Sequence, residues 1–446
     1  MRASTSALEC LIVTFDDSNA VSNSGLILPI TLAERLGLRD LFDSHIDLED
    51  RPGRANVGRK AMAIVASILA GGDCIDDTAI LRSPNAQVIL GQIMPAPSTL
   101  GVFLRSFETS DIADVERVAA LLLKRAWLAG AGPGDESLTI DVDSTICQVY
   151  GNKKEGAYFG YTKVRGYHPL VAAVGKTGDI LGIVTREGNA NTARGAGEFV
   201  TQVINNARAA GATGEITMRF DSGFYSRAVR DAASAGDVRF SITTRMSKRL
   251  KGIISDIQED AWTSIPYWLE GGADVAEVKY RAFARDRQDV RLIVRRVKPT
   301  PGSQLALFSD YDYHAFITDR QGETLFLEAD HRAHAQIELV IKDLKGGSRW
   351  NHVPSRCMNA NAVWLALVWL AIGAIAHNLA RFTAQIGAIA ETVITTPKLR
   401  RCYFQIAGHI TRSARKVILH LEEHWHYKDK FLEALDRIRK FEIAIT

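Results

Sequence analysis

The sequence predicts an α/β protein: a core of alternating strands and helices, interrupted by a β-rich stretch and flanked by helical sections. Three observations carry this. Leu138-Thr139-Ile140-Asp141-Val142-Asp143-Ser144-Thr145-Ile146 alternates apolar and polar residues, the two-residue period of a half-buried strand. From residue 137 strand-like and helix-like segments follow one another, but between about residues 248 and 310 short alternating strands take over. Helical periodicity dominates before residue 132 and returns near Ala329.

Taken in order, residues 1–28 read as strand and loop. Residues 29–38 read as a short helix that Thr31 can cap and Gly37 ends, and residues 57–69 as a second, closed by Gly71-Gly72. Residues 97–107 start another, with Ser98 or Thr99 as its cap, and residues 112–128 form a long amphipathic one. Arg82, Arg105, Arg117, Lys124 and Arg125 on this section suit DNA binding, and plain bundle packing suits them better.

The core opens after the turn-forming Gly132-Pro133-Gly134-Asp135. Strands over 168–174 and 180–185 are joined by Gly175-Lys176-Thr177-Gly178-Asp179, a hairpin composition without P-loop spacing. A helix over 197–210, a strand ending at Asp221, a turn at Gly223, a helix to about Ala235 and a strand over 238–244 complete the series. Three strands in hairpin order, then helix, strand, helix and strand, is the succession of an RNase H-like fold.

Within the β-rich stretch, strands are expected over 274–280 and 290–297. Lys279, Arg281, Arg285, Arg287, Arg291, Arg295, Arg296 and Lys298 face only Asp286 and Asp289 there. A charge run is usually a solvated face, but on alternating strands it makes one basic surface suited to phosphates. After a strand over 314–318, His331, His334, Glu338, Ile341, Lys342 and Lys345 recur at three- and four-residue spacings, one face of a helix. Residues 359–382 read as a buried apolar helix. Its most apolar run, 362–376, is shorter than the roughly 20 residues that span a bilayer. The expected sections are a helical N-terminal domain (1–132), the first part of the core (133–247), a β-rich insertion domain (248–310), the second part of the core (311–390) and a basic helical C-terminal region (391–446).

Composition bounds the function. A chain of 446 residues is too long for one hydrophobic core, and 46% hydrophobic with 24% charged residues is ordinary for a soluble protein. The net charge of +3 means that a nucleic-acid partner must be met by local patches. Cys10, Cys74, Cys147, Cys357 and Cys402 lie far apart without a CxxC pair, which argues against a zinc site or a disulfide framework. The first residues lack a signal-peptide layout, and a reducing, cytoplasmic setting fits.

The chemistry begins with the alternation at 138–146, which puts Asp141, Asp143 and Thr145 on one face. Two carboxylates side by side repel, and a divalent cation is the usual remedy; a solvated strand end is the bland alternative. Asp143 on the first strand, Asp221 at the end of a later one and Glu338 on a helix after the insertion are each weak signals alone. Together they make a ligand set for two hard cations about 3.5–4 Å apart acting on a phosphodiester.

The stretches Asp141-Val142-Asp143-Ser144-Thr145, Gly166-Tyr167-His168-Pro169-Leu170, Arg219-Phe220-Asp221-Ser222-Gly223-Phe224 and His331-Arg332-Ala333-His334-Ala335-Gln336-Ile337-Glu338 resemble the DDE transposases of bacterial insertion sequences. The chain looks most like the family numbered thirteen-eighty, and Ala70-Gly71-Gly72-Asp73, Pro354-Ser355 and Asn361 add to the likeness. The resemblance implies Asp143, Asp221 and Glu338 as catalytic metal ligands, with Asp141 behind them, and two Mg²⁺ ions, Mn²⁺ being an alternative. It implies DNA contacts by Lys345, by His331 and His334 in the places of a tyrosine and an arginine, and by the basic insertion through Arg291 and Arg295. The expected activity is binding of terminal inverted repeats, cleavage of the ends and joining to target DNA, by a homodimer assembled on DNA and away from membranes. The rivals are another RNase H-like nuclease and a non-catalytic DNA-binding descendant.

Overall fold

Leu138–Ser144 (β1) lies inside a nine-stranded mixed sheet. The computed structural model describes residues 11–150, 156–160, 163–268, 272–284, 286, 288–299, 311–351, 363–390 and 393–440. Arg285, Arg287, Pro354, Ser355 and Asn361 lie outside the described residues.

The other strands of this sheet are β2 (Leu170–Val174), β3 (Ile180–Val184), β4 (Ile216–Phe220), β5 (Arg239–Thr243), β6 (Thr263–Ile265), β7 (Ala273–Tyr280), β8 (Val290–Val297) and β9 (Asp312–Thr318). Their order across the sheet is β6-β7-β8-β9-β5-β4-β1-β2-β3. β1 runs antiparallel to β2, with Asp143 opposite Val171, and parallel to β4, with Asp141 opposite Arg219. β5 continues parallel to β4, and β9 then returns antiparallel, Ile317 opposite Ile242. The β-rich stretch therefore adds β6, β7 and β8 to the same sheet as the core strands, where the sequence suggested an inserted domain. Unbroken apolar runs such as Leu292-Ile293-Val294, all buried, allow this because both faces of β8 are covered.

In chain order the helices are α1 (Ile27–Arg35), α2 (Leu38–His45), α3 (Val57–Ala70), α4 (Pro84–Leu90), α5 (Pro97–Arg105), α6 (Ile112–Ala126), α7 (Ala196–Ala209), α8 (Arg227–Ala235), α9 (Lys248–Ser255), α10 (Thr324–Arg332), α11 (Gln336–Gly346), α12 (Val363–Ile386), α13 (Thr396–Leu399) and α14 (Lys428–Lys440). One sheet face carries Ile140, Val142 and Ala172 into a core with Phe199 and Val203 of α7. The other packs Val171 and Ala173 against Val340 and Leu344 of α11.

Helices α3 and α6 pack on α12, which is as apolar as its sequence suggests. Polar side chains of α12 grip the sheet edge. Asn378 takes the Ile180 N–H at 2.8 Å and donates to the Ile180 carbonyl at 2.9 Å, as a neighbouring strand would. Buried Asp179 accepts from Trp127 Nε1 (3.1 Å) and Gln385 Nε2 (2.7 Å), which ties the end of α6 to the same corner. Among the described residues no helix is long and apolar enough to cross a membrane.

Two local expectations change. The first helix begins at Ile27, and Gly37, at φ +63°, separates α1 from α2. The tail is not all helical. Gly408–Ser413 and Lys416–Leu421 form a hairpin whose inner strand pairs with Ala20–Val21. Thr411, Val417 and Ile418 are β-branched, and Ala414 turns the chain at φ +51°.

Candidate active site

Three parallel strands, β1, β4 and β5, end on the same side of the sheet, and Asp143 and Asp221 lie there. Val142 stands opposite Phe220, so Asp143 and Asp221 follow at neighbouring strand ends. Each is fixed by its own backbone. Asp143 Oδ1 accepts the Ser144 N–H at 2.6 Å, and Asp221 Oδ1 accepts the Gly223 N–H at 2.9 Å, capping the turn that follows β4. Glu338 comes from the first turn of α11, which lies over β1 and β2, and its side chain is exposed.

The electrostatics register this meeting. Burial pushes the Asp143 carboxyl up to about 6; the Ser144 N–H opposes that rise, and the negative charges of Asp221 and Glu338 add to it. Asp143, Asp221 and Glu338 do not bring three ligand atoms within 4.8 Å of one another. Among the described residues, the only three such groups with ligand atoms all within 4.8 Å of one another are Asp73, Cys74 and Asp77. That trio is a helix start, with Asp77 Oδ2 accepting the N–H groups of Asp73 (2.8 Å) and Cys74 (3.2 Å).

The two aspartates of β1 have different surroundings. Asp141 is 1% exposed, and both its oxygens are taken by Arg219, at 2.7 and 2.8 Å. Burial raises its pKa while Arg219 opposes that rise. Arg219 Nη1 also reaches the backbone carbonyl and, at 3.3 Å, the carboxylate of Asp330 on α10. Arg320 holds the other Asp330 oxygen at 2.5 Å. Arg219 thus staples β1, β4 and α10 together behind the site. In the sequence the signal for this role is a lone arginine on an otherwise uncharged strand, Ile216–Phe220.

The helix expected to run unbroken past His331 and Glu338 is two. α10 ends at Arg332, residues Ala333–Ala335 make a tight turn, and α11 begins at Gln336. The turn lays His334 against β1, its Nε2 3.2 Å from the Val142 carbonyl, where its charge favours the ionised forms of Asp141 and Asp143. His331 points inward. Its Nδ1 meets Ser241 Oγ at 2.8 Å, its Nε2 meets Thr243 Oγ1 at 2.9 Å, and the ring stacks on Phe316 at 4.0 Å. Burial first, and then neighbouring cations, hold its pKa well below the usual imidazole value. A neutral ring with both nitrogens engaged has no donor left for a phosphate, so the DNA contact expected of His331 gives way to a packing role. His168, also in the resembling stretches, is 2% exposed, bonds the Ala190 carbonyl at 2.8 Å and senses Asp221. Lys345 is half-buried, and its charge opposes the rise that burial imposes on Cys147, to about 12.

The basic strands are less free than their sequence suggests. Arg291 makes two bonds to Glu277, 2.7 and 2.6 Å, and Arg295 reaches buried Glu328 at 2.5 Å. Arg296 pairs with Glu259 and Asp274 and lies between Trp262 and Tyr311. The expected continuous basic face is thus largely paired off. The acids responsible, Glu259, Asp274, Glu277 and Glu328, lie outside residues 279–298.

A family model described as "Transposase DDE domain group 1" matches residues 6–443. No curated protein matches the chain. Among solved structures, a cryo-EM structure of the piggyBac transposase synaptic complex with hairpin DNA is similar, with 13% identity and a TM-score of 0.47. The match covers 86% of this chain and 80% of that one.

Proposed function

The chain belongs to the transposase DDE domain group 1 family, and from that premise we propose that it cuts the ends of a bacterial insertion sequence and joins them to target DNA, with Asp143, Asp221 and Glu338 as the catalytic ligands. The observation that supports this reading is that Asp143 and Asp221 follow neighbouring parallel strands at the same end of the sheet, with Glu338 close enough for its charge, like that of Asp221, to raise the Asp143 pKa. The order β3-β2-β1-β4-β5, with β1, β4 and β5 parallel, supports an RNase H-like core.

The donor set fits hard divalent cations, Mg²⁺ or Mn²⁺: three carboxylates, no thiolate, and a mutual repulsion that a cation would relieve. When bound, two such ions would lower the pKa of an attacking water or 3′-hydroxyl and stabilise the leaving oxygen. The chain's own part is placement. The Ser144 and Gly223 N–H groups orient two of the carboxylates, and Arg219 keeps Asp141 out of the ligand set. His334, beside the Val142 carbonyl, offers a donor for a phosphate oxygen. Lys345 adds positive charge on the same helix as Glu338. Arg291 and Arg295 contribute through their field, since direct phosphate contact requires exchange of a carboxylate partner. The reading includes recognition of terminal inverted repeats, pairing of two ends by a homodimer, and a cytoplasmic setting.

Cleavage of a labelled end duplex in Mg²⁺, run beside a binding assay, tests it. Asp221→Asn is expected to fold, to bind the ends and to fail in cutting and joining. Full cleavage by this variant would remove the assignment.

A further inference from the structure

The segment leaving β5 emerges at the same end of the sheet as Asp143 and Asp221, because β1, β4 and β5 are parallel. Thr244-Arg245-Met246-Ser247-Lys248-Arg249-Leu250-Lys251 holds four cations and no acid, and all four are exposed. Arg245 rests on the turn that follows Asp221: its Nε donates to the Ser222 carbonyl at 3.0 Å and its Nη2 to the Gly223 carbonyl at 3.3 Å. Arg249 lies over Tyr280 and donates to the Arg281 carbonyl at 3.1 Å. Among the described residues none of the four is paired with a carboxylate, in contrast to Arg291, Arg295 and Arg296. Ser247 caps α9, whose first turn has no acidic residue and carries Lys248 and Arg249. Cations at that end oppose the helix dipole, so the arrangement works against the stability of α9. A run of unpaired positive charge beside the carboxylates, kept at a cost to the helix, fits an anionic polymer.

We propose that Arg245, Lys248, Arg249 and Lys251 form a phosphate clamp for the DNA strand flanking the reacting phosphodiester, and that Arg245 couples the bound backbone to the turn that positions Asp221. The proposal rests on the reading of Asp143, Asp221 and Glu338 as the DNA-cutting site. The clamp supplies affinity through counterion release, and Arg245 acts as a positioning residue because it touches the Asp221 turn and not the reacting atoms.

The test is binding of an end duplex by the full chain across a salt series, with cleavage and thermal midpoint measured alongside. Lys248→Glu with Lys251→Glu should weaken binding by about tenfold or more and flatten the salt dependence by about one per lost cation. The thermal midpoint should stay or rise, since the charge reversal at Lys248 suits the dipole. Arg245→Ala should lower kcat more than it raises KM, and Arg245→Lys, which cannot fork across two carbonyls, should recover part of kcat. Unchanged affinity and salt dependence in the double variant would overturn the clamp, and unchanged kcat in Arg245→Ala would overturn the coupling. Asp221→Asn in parallel separates the two readings. If it binds without cutting while the double variant binds normally, only the clamp falls; if it cuts, the site assignment itself fails.

Discussion

The two aspartates of β1 should respond to substitution in opposite ways. Asp141 and Arg219 form a two-bond pair, the aspartate 1% and the arginine 3% exposed. Asp141→Ala leaves the buried guanidinium with only Asp330, on one of its nitrogens, and breaking one side of a buried pair costs about 3–5 kcal/mol. Asp143 is the reverse case. Its carboxyl is displaced from 3.8 to about 6 by burial and by the charges of Asp221 and Glu338, so the folded state resists its ionisation. At about 1.4 kcal/mol per pH unit, that displacement amounts to roughly 3 kcal/mol of lost stability once the group is charged. The folded state holds the proton longer than the unfolded chain, so this stability is present below about pH 4 and lost as pH rises to about 6. Without divalent cation at about pH 8, Asp143→Asn should therefore unfold at higher urea than the parent, by up to about 3 kcal/mol. Added Mg²⁺ should stabilise the parent and Asp141→Asn, and should do little for Asp143→Asn. Urea unfolding with and without Mg²⁺ measures each quantity independently of cleavage. If Asp143→Asn is destabilised and still gains stability from Mg²⁺ while Asp141→Ala is neutral, the two residues have been given each other's roles.

Three further outcomes follow from single contacts. Glu116 on α6 is pushed up from 4.5 to about 7 by burial, against a bond from Gln202 of α7. Stability present below about pH 4.5 should fall as pH rises to about 7, and Glu116→Gln should restore up to about 3 kcal/mol at pH 8, seen as a flatter profile of unfolding free energy against pH. His331→Phe keeps the stack on Phe316 but strips partners from the Ser241 and Thr243 hydroxyls. It should cost about 1–3 kcal/mol while leaving the salt dependence of end binding unchanged, and a shallower salt slope would mean that the ring does meet phosphate. Arg291→Met leaves Glu277 with only Thr324 as a side-chain partner among the described residues. It should lower the denaturation midpoint while changing the salt slope less than Lys248→Glu does, and the opposite ranking would return the insertion strands to the DNA surface.

What the sequence determined by itself was local and periodic. The alternation of residues 138–144 placed Asp141 and Asp143 on one face, and the apolar run before residue 386 made α12 a buried helix. The order of main-sheet strands and helices through residues 138–243 follows from turn residues and hydrophobic period, which act within a few neighbours along the chain, but the small sheet of Cys147–Gln148, Tyr158–Phe159 and Arg165–Tyr167 does not. What the tertiary structure decided depended on register between distant segments. Only the parallel pairing of β1 with β4 sets Arg219 opposite Asp141, so that one aspartate is consumed and its neighbour two residues on is left among the carboxylates. Only the pairing of β9 with β5 makes the β-rich stretch part of the main sheet. The charge run at residues 279–298 read as basic because Glu259, Asp274, Glu277 and Glu328, which neutralise it, lie outside the run and reach it across strands or from α10. Arg245, which pairs with no carboxylate among the described residues, is in the sequence one cation among many. Its contact with the turn after Asp221 exists only because two strands that neighbour in space end side by side. Periodicity assigns a face to each residue, and only the fold says which charge stands across from it.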